Sequence, residues 1–121
     1  MEVLLDSNFI ISCLRRKIDF MSQLEDLGFK IFLPKEVYQE LKDIKPNLSR
    51  GDKLIVEMAL KLFEDKKAKN ISLGNKSVDK GLIEKAKQGY YIATLDAAIK
   101  RNAKNRVIIS NSQNSIVIER D

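Results

Sequence analysis

Four carboxylates stand where strand-like runs end or helix-like runs begin. They lie about 34, 39 and 17 residues apart, as Asp6 in LLDSN, Glu40 in VYQEL, Asp79 in SVDKG and Asp96 in ATLDAA. In an open α/β sheet, ligands bind outside the carboxyl ends of the strands, so residues far apart in sequence meet there. Four acids at one sheet edge repel each other and are tolerated mainly when hard divalent cations neutralise them. The pattern therefore predicts a site for Mg²⁺ or Mn²⁺, and such sites usually carry out phosphate chemistry.

Each of these acids also has a purely structural interpretation. Asp6 and Asp96 could cap the helices that follow them. Asp79 could complement a helix dipole, and Glu40 could be an ordinary surface glutamate. Helical geometry at 100° per residue argues otherwise for two of them, because Glu40 borders the apolar stripe of its helix and Asp79 falls inside an apolar arc. We therefore expect Asp79 to be buried or half-buried, whereas Glu36, in a first helical turn, should complement the dipole and bind no ligand.

The elements that must position these acids follow from hydrophobic periodicity. Strand-like and helix-like runs alternate, which predicts a parallel sheet with helices on both faces. The predicted strands are 2–6, 30–33, 70–73, 90–94 and 106–110, followed by an edge strand in SIVIE. Six helices are predicted: the first is FIISCLRR, the second is capped by Asp19 and ended by Gly28, and the third has Pro34 at its first position. The fourth is opened by Ser49-x-x-Asp52, the fifth spans 78–88, and the sixth runs from Asp96 to about Ala103. Gly74-Asn75 is predicted to turn, and EDKKAK at 64–69 to be the solvated end of a helix.

Length and composition favour a single globular domain spanning residues 1–121. The chain is 44% hydrophobic and 32% charged, and its length suffices for one core but is short for two. No apolar run approaches the roughly 18 residues that a membrane span needs, and the start, MEVLLDSN, lacks the basic region of a signal peptide. We expect a cytoplasmic protein with no membrane partner.

The residue types that are missing exclude several kinds of hydrolytic site. There is no histidine and one cysteine, which excludes a Ser-His-Asp triad, an HExxH zinc helix and a multi-cysteine zinc site. Cys13 is expected to be a small buried hydrophobe. Hydrolysis by this chain must therefore depend on carboxylates and metal.

The charge balance favours a polyanionic partner. The 22 Lys and Arg residues outnumber 17 acids, which gives a net charge of +5 and a pI near 9.3. Such a surface binds RNA or DNA by releasing counterions, although a lysine-rich surface can equally serve solubility or heat tolerance. Arg15 and Arg16, at the end of the first predicted helix, could bind substrate phosphates. The alternative is that they are helix-end charges.

At these residues the chain resembles the PIN domain family of nucleases. The matching pieces are LLDSN, FLPKEVYQEL, SVDKGLIEKA and YYIATLD, and in this order they cover nearly the whole chain. The resemblance implies an α/β fold, a three-layer αβα sandwich whose central parallel sheet has the order 3-2-1-4-5, here with a C-terminal edge strand. It also implies a catalytic quartet that binds Mg²⁺ or Mn²⁺, with two supporting polar residues: Asp6, Glu40, Asp79 and Asp96, supported by Asn8 and Thr94.

Within the family, the chain resembles the small archaeal ribosomal-RNA-processing proteins somewhat more than the toxins. The long fourth helix and the segments VDKGLIEKA and ATLDAAIKR favour that assignment. Several relatives carry a second acid directly after the third one and a charged residue before the fourth, where this chain has Lys80 and Leu95. These departures bear on the choice of substrate more than on activity.

The function that follows is a divalent-metal-dependent endoribonuclease, with ribosomal RNA processing as a role. Asn8 would orient Asp6, and Thr94 would hydrogen-bond a carboxylate or a substrate phosphate. The alternatives are a toxin ribonuclease of a toxin–antitoxin pair and a catalytically weak RNA-binding or assembly factor. A phosphotransfer domain is disfavoured because the first strand ends in DSN and not in DxD. Candidate partners are RNA, a second copy of the chain, and an antitoxin or a pre-ribosomal protein.

Overall fold

The computed structural model describes residues 1–74 and 77–121. Six strands and six α-helices lie in these two ranges. The strands are β1 (Glu2–Leu5), β2 (Lys30–Pro34), β3 (Ala68–Ile71), β4 (Tyr91–Ala93), β5 (Asn105–Ser110) and β6 (Ser115–Arg120). The helices are α1 (Ser7–Arg15), α2 (Phe20–Asp26), α3 (Lys35–Ile44), α4 (Arg50–Lys61), α5 (Val78–Lys87) and α6 (Ala97–Arg101). The predicted turn at Gly74-Asn75 lies partly outside the described residues.

The strands form one sheet in the order β3-β2-β1-β4-β5-β6. Neighbouring strands from β3 to β5 run parallel, and β6 pairs with β5 antiparallel. The predicted order and the C-terminal edge strand are therefore confirmed. Because β1 lies in the middle, between β2 and β4, the residue that follows it reaches the centre of the carboxyl edge.

Helices cover both faces of the sheet, and β1 shows why. Its side chains alternate, with Val3 and Leu5 in one hydrophobic core and Leu4 in the other. Helices α1 to α4 contribute to the first core, for example through Phe9, while α5 and α6 contribute to the second, for example through Leu82. The result is the predicted three-layer αβα sandwich, and its parallel sheet is apolar on both faces.

Two local predictions are wrong. The segment 64–69 is not the solvated end of a helix. A 3₁₀ turn (Leu62–Glu64) closes α4, and the chain then enters the sheet as β3 at Ala68. Pairing with β2 outweighs the low β propensity of this polar segment, which forms an exposed edge. The second error concerns Pro34, which was predicted at the first position of a helix. It instead ends β2 and caps α3, with ψ at 136°. The proline ring fixes only φ and therefore allows this extended conformation.

In the two described ranges, no helix combines the length and apolar character that crossing a bilayer requires.

Candidate active site at the carboxyl edge of the sheet

Asp6 lies at the centre of the site, directly after β1. Its backbone N–H donates to the carbonyl of Ala93 over 2.9 Å, which continues the pairing of β1 with β4. Its side chain caps α1: Oδ1 accepts from the Ser7 N–H at 2.9 Å, and Oδ2 accepts from the Thr94 hydroxyl at 2.8 Å. Only 4% of the residue is exposed. Two neighbouring strands therefore fix the orientation of one buried carboxylate.

The environment of Asp6 raises the pKa of its carboxyl from 3.8 to about 6. Burial is the largest cause, because it disfavours the charged form. The hydrogen bonds from Thr94 and Ser7 lower the pKa, and the negative charges of Glu40 and Asp79 raise it again. Three of the four predicted acids therefore share one electrostatic environment.

Glu40 reaches the site from α3 through Ser7. The Ser7 hydroxyl donates a short hydrogen bond to Glu40 Oε1, which ties α1 to α3. Glu40 is half-buried, as its position at the border of the apolar stripe predicted. Ser7 was not among the predicted site residues, although the sequence carries a signal for it. A serine next to a candidate metal ligand at a helix start can donate hydrogen bonds to that ligand and to a neighbouring acid.

Asp79 lies in the first turn of α5 and is exposed. The prediction that it is buried or half-buried is wrong, because the first turn of this helix is uncovered and burial begins at Gly81 and Leu82. No described group donates a hydrogen bond to the Asp79 carboxylate. It is therefore open to a ligand from solution.

Asp96 is joined to Asp6 by Thr94. The Thr94 hydroxyl donates to Asp6 and accepts from the backbone N–H of Asp96 at 3.1 Å, so the predicted contact of Thr94 with a carboxylate is present. Asp96 caps α6, with Oδ1 accepting from Ile99 N–H at 3.0 Å. Its structural interpretation as a cap is thus correct, and Oδ2 remains without a hydrogen bond from the described residues.

Asn8 contacts the loop after β4 and not Asp6. Its Oδ1 accepts from the backbone N–H of Leu95 at 3.2 Å. The expectation that Asn8 orients Asp6 directly is therefore wrong. Its hydrogen bond fixes the segment between Thr94 and Asp96, which carries two of the site residues.

The four acids do not form a closed metal cage. Among residues 1–74 and 77–121, no three Asp, Glu or Cys side chains are grouped so that they could hold one metal ion. Besides Asp6, two of the carboxylates already accept hydrogen bonds, Glu40 from Ser7 of α1 and Asp96 from Ile99 of α6. The donors themselves are all carboxylate oxygens, which hard cations such as Mg²⁺ and Mn²⁺ prefer.

The residues flanking the site have structural contacts. Glu36 Oε1 accepts from the Leu73 N–H at 3.0 Å, which fixes the loop before α5. Arg15 forms an ion pair with Asp52 at 2.9 Å, between α1 and α4. Arg16 donates to Asn111 at 2.7 Å. These contacts suit helix-end charges, and substrate binding by the two arginines stays a prediction.

An open groove leads away from Glu40. It has a volume of about 350 Å³ and lies between α3 and the start of α5. Its lining residues include three acids and are Glu36, Gln39, Glu40, Asp43, Ile44, Ser77 and Val78.

Comparison with known proteins places this arrangement in a family. The structure of the PIN domain endonuclease Utp24 superposes with a TM-score of 0.77, over 99% of this chain and 92% of that protein, at 23% sequence identity. No family model matches the sequence. The protein named ribonuclease VapC9 from Archaeoglobus fulgidus is 33% identical over 105 residues, which are 85% of this chain and 76% of the relative. The chain belongs to the PIN-domain family of nucleases.

A second solved structure shares the PIN fold at greater distance. It is VapBC2 from Rickettsia felis bound to a DNA fragment from its promoter. The match has a TM-score of 0.56 and 15% identity, over 85% of this chain and 96% of that one. At this identity the likeness shows the fold alone.

Proposed function

We propose that this PIN-domain protein is a divalent-metal-dependent endoribonuclease, with residues 1–121 acting as one nuclease domain. The observation that carries the proposal is the buried carboxylate of Asp6 at the central strand end, within the electrostatic influence of Glu40 and Asp79. Burying an acid beside two others costs free energy, and a cation bound at the same place offsets that cost. A site with this cost is expected where it serves chemistry.

The chemistry of the donor set suits Mg²⁺ or Mn²⁺, but among the described residues no three of these side chains are grouped around one point. Asp6, Asp79 and Asp96 would hold the ion once the last two turn toward the first, with Glu40 binding directly or through water. The exposed carboxylate of Asp79 and Oδ2 of Asp96 have no hydrogen bonds to described residues, so both can turn to a ligand without losing one. The bound ion supplies a water of lowered pKa and positive charge beside the scissile phosphate.

The chain's own residues keep this donor set in place. Thr94 and Ser7 donate to the two oxygens of Asp6, which favours its ionised form and fixes its orientation. The Ser7 hydroxyl fixes Glu40, and Asn8 fixes the loop that presents Asp96. The bonds from Thr94 to Asp6, from Ser7 to Glu40 and from Leu95 to Asn8 each join segments distant in sequence, so the geometry of the site depends on the packing of the whole sheet edge.

RNA is the substrate that we propose, because the relative from Archaeoglobus fulgidus is named a ribonuclease. Ribosomal RNA processing is one role and a toxin acting with an antitoxin partner is the other, and we expect either to take place in the cytoplasm. Growth arrest on expression in a heterologous host, relieved by Asp96→Asn, would assign the toxin role. Specific cuts in precursor ribosomal RNA without growth arrest would assign the processing role.

A single-turnover cleavage assay tests the proposal. A labelled single-stranded RNA is incubated with excess protein in Mg²⁺ or Mn²⁺, and the cut products are resolved on a gel. Asp79→Asn and Asp96→Asn should each reduce cleavage to background, because each removes a negatively charged oxygen donor. Both should stay folded, since Asp79 is exposed and Asn caps a helix as well as Asp does.

Glu36→Gln is the matched control. Like the two Asp variants it removes one negative charge, in this case from α3. The Gln side chain keeps an oxygen that can accept from the Leu73 N–H. We expect its cleavage rate to remain near that of the wild type. If Asp79→Asn and Asp96→Asn cut RNA as fast as Glu36→Gln, the proposed site is wrong. A wild type that binds the RNA but leaves it uncut would point to the RNA-binding alternative.

A further inference from the structure

The excess positive charge of the chain is unevenly distributed between the two helical layers. Residues 7–65, which include helices α1 to α4, contain ten basic and ten acidic residues. Residues 77–104, which include α5 and α6, contain six basic and three acidic residues. Two of those three acids are Asp79 and Asp96 of the proposed site. The layer of α5 and α6 therefore has the stronger positive field, and a cation bound at those two acids would strengthen it further.

Most basic side chains of this layer face solvent, whereas Lys85 and Lys100 are half-buried. Helices α5 and α6 pack on the same face of the sheet through apolar residues such as Leu82 and Ile99. Lys80 and Lys87 are exposed on α5 and, two turns apart, lie on one side of that helix, where they line a shallow groove. On α6, Lys100 and Arg101 line a second groove, together with Arg106 of β5 and Glu119 of β6.

Four of these basic side chains form no ion pair within the described ranges, namely Lys80, Lys87, Lys100 and Arg101. A phosphate that binds them therefore breaks no ion pair between described residues. Arg15, on the opposite layer, already binds Asp52. Binding of a phosphate to Arg15 would have to break that contact, whereas the α5 and α6 side chains are immediately available.

The basic residues are also adjacent to the acids of the site. Lys80 directly follows Asp79, and Lys100 lies one turn after Asp96 on the same helix. Lys80 and Lys87 are separated by about 10 Å along the axis of α5. A strand whose scissile phosphate lies at the acids would therefore pass over basic side chains on both helices.

We propose that the RNA backbone runs across the outer surface of α5 and α6, where its phosphates bind Lys80, Lys87, Lys100 and Arg101. We call these four residues the α5–α6 basic face. The inference rests on the proposed function, because it takes the acidic site as the place of the cut. The α5–α6 basic face holds the flanking phosphates and leaves the bases free, so it gives affinity with little sequence preference.

A salt titration of RNA binding tests this assignment. Fluorescence anisotropy of a labelled single-stranded RNA in EDTA gives the affinity at several salt concentrations, and a gel confirms that the RNA stays intact. Each phosphate contact on a single strand contributes about 0.7 to the slope of log affinity against log salt. Lys80→Ala combined with Lys87→Ala should therefore lower the slope by about 1.4. The fold should be retained, since both sites are exposed on a helix and Ala is a strong helix former.

Two further double variants remove the same charge elsewhere. Lys61→Ala with Lys66→Ala is the matched control, because both lysines are exposed and lie away from α5 and α6. We expect it to leave the slope almost unchanged. Arg15→Ala with Arg16→Ala tests the alternative that these two arginines bind the substrate phosphates. Both guanidinium groups already bind other residues of the protein. The slope of this variant should therefore fall by less than that of Lys80→Ala with Lys87→Ala.

The outcomes separate this inference from the proposed function. An unchanged slope in Lys80→Ala with Lys87→Ala overturns the α5–α6 basic face, whether or not the protein cuts RNA. An equal fall in the Lys61 and Lys66 variant also overturns it, because the effect would then follow net charge and not position. A lowered slope only in the α5 variant supports the inference even if the cleavage assay fails.

Discussion

Asp6 combines two roles that oppose each other energetically. It caps α1 and bonds Thr94, which favour the ionised carboxylate, but burial and the neighbouring acids favour the neutral form. Burial wins, and the pKa rises from 3.8 to about 6. Near neutral pH the residue is mostly ionised, so it can serve as a ligand, but its charge costs stability.

The raised pKa predicts how stability changes with pH. The folded pKa of Asp6 lies above the unfolded one, so its contribution to stability is complete below pH 3.8 and is lost as the pH rises through about 6. At about 1.4 kcal/mol per pKa unit, the loss is about 3 kcal/mol. Asp6→Asn does not titrate and keeps the helix cap. Its stability relative to the wild type should therefore increase between pH 4 and pH 7.

Urea unfolding of both proteins at four pH values in this range, without divalent ions, measures the difference. Contributions from acids that do not interact with Asp6 cancel between the two proteins because only residue 6 differs. A wild type that gains stability over Asp6→Asn as the pH rises would mean that the pKa of Asp6 is lowered, contrary to the structure.

At this scale the surroundings of the four candidate acids were predictable only in part. The contact of Thr94 with a carboxylate was predictable from the resemblance to the PIN family, and the half-buried state of Glu40 from its place at the border of an apolar stripe. The exposure of Asp79 was not, because helical periodicity gives the direction of a side chain and not whether anything covers it. The role of Ser7 depends on α1 and α3 meeting at one point, which only the tertiary fold decides.

The helix α5 is positioned by its contact with the loop that follows β3. Gly81 packs so closely on Leu73 that a Cβ atom at this glycine would lie 2.7 Å from the Leu73 Cβ. Leu73 is itself held by Glu36 from α3. The placement of Asp79 therefore depends on a glycine two residues further along the helix.

Gly81→Ala should destabilise the protein and reduce cleavage. The added methyl group forces α5 away from Leu73, and such overpacking costs about 1–3 kcal/mol. Because Asp79 moves with the helix, the cleavage rate should fall even at temperatures where the variant is folded. Thermal unfolding and the single-turnover assay measure the two effects.

Gly51→Ala is the control for the intrinsic effect of the substitution. Gly51 lies in α4 with no atom near the added methyl group, so this change should stabilise the protein by about 0.4–1 kcal/mol. If Gly81→Ala behaves like Gly51→Ala in both assays, the contact with Leu73 does not position α5.

At the scale of elements, the sequence predicted the alternation of strands and helices, and the resemblance to the PIN family implied their order in the sheet. The two errors, at β3 and Pro34, share one cause. A strand of four residues with Lys69 and Asn70 at an exposed edge has no hydrophobic signal of its own, and only pairing with β2 defines it. Proline likewise is compatible with a helix start or a strand end, and the neighbouring strand decides between them.

The whole molecule places its acids and its excess basic charge on adjoining surfaces. The central strands deliver Asp6 to the carboxyl edge of the sheet, and α5 and α6 carry two further acids and most of the excess basic charge beside it. A cation at the acids would join the two surfaces into one continuous site for a polyanion. The net charge predicted a polyanionic partner, but its distribution between the layers follows only from the fold.

Metal binding at the proposed site would link it to the stability of the whole fold. A ligand that binds only the folded state at 100 times its dissociation constant adds about 2.7 kcal/mol to the free energy of unfolding. Because Asp6 must be ionised to bind the ion, this gain should be larger at pH 7.5 than at pH 5. Without the ion, the repulsion among the acids remains and lowers the melting temperature.

The melting temperature with and without millimolar Mn²⁺, measured at pH 7.5 for the wild type, Asp6→Asn and Glu36→Gln, tests the metal site most directly. We predict a clear rise for the wild type and for Glu36→Gln, and the loss of most of that rise in Asp6→Asn, because the central ligand is then uncharged. If the wild type and Asp6→Asn respond to Mn²⁺ identically, Asp6 is not part of a metal site and the proposed nuclease centre is wrong.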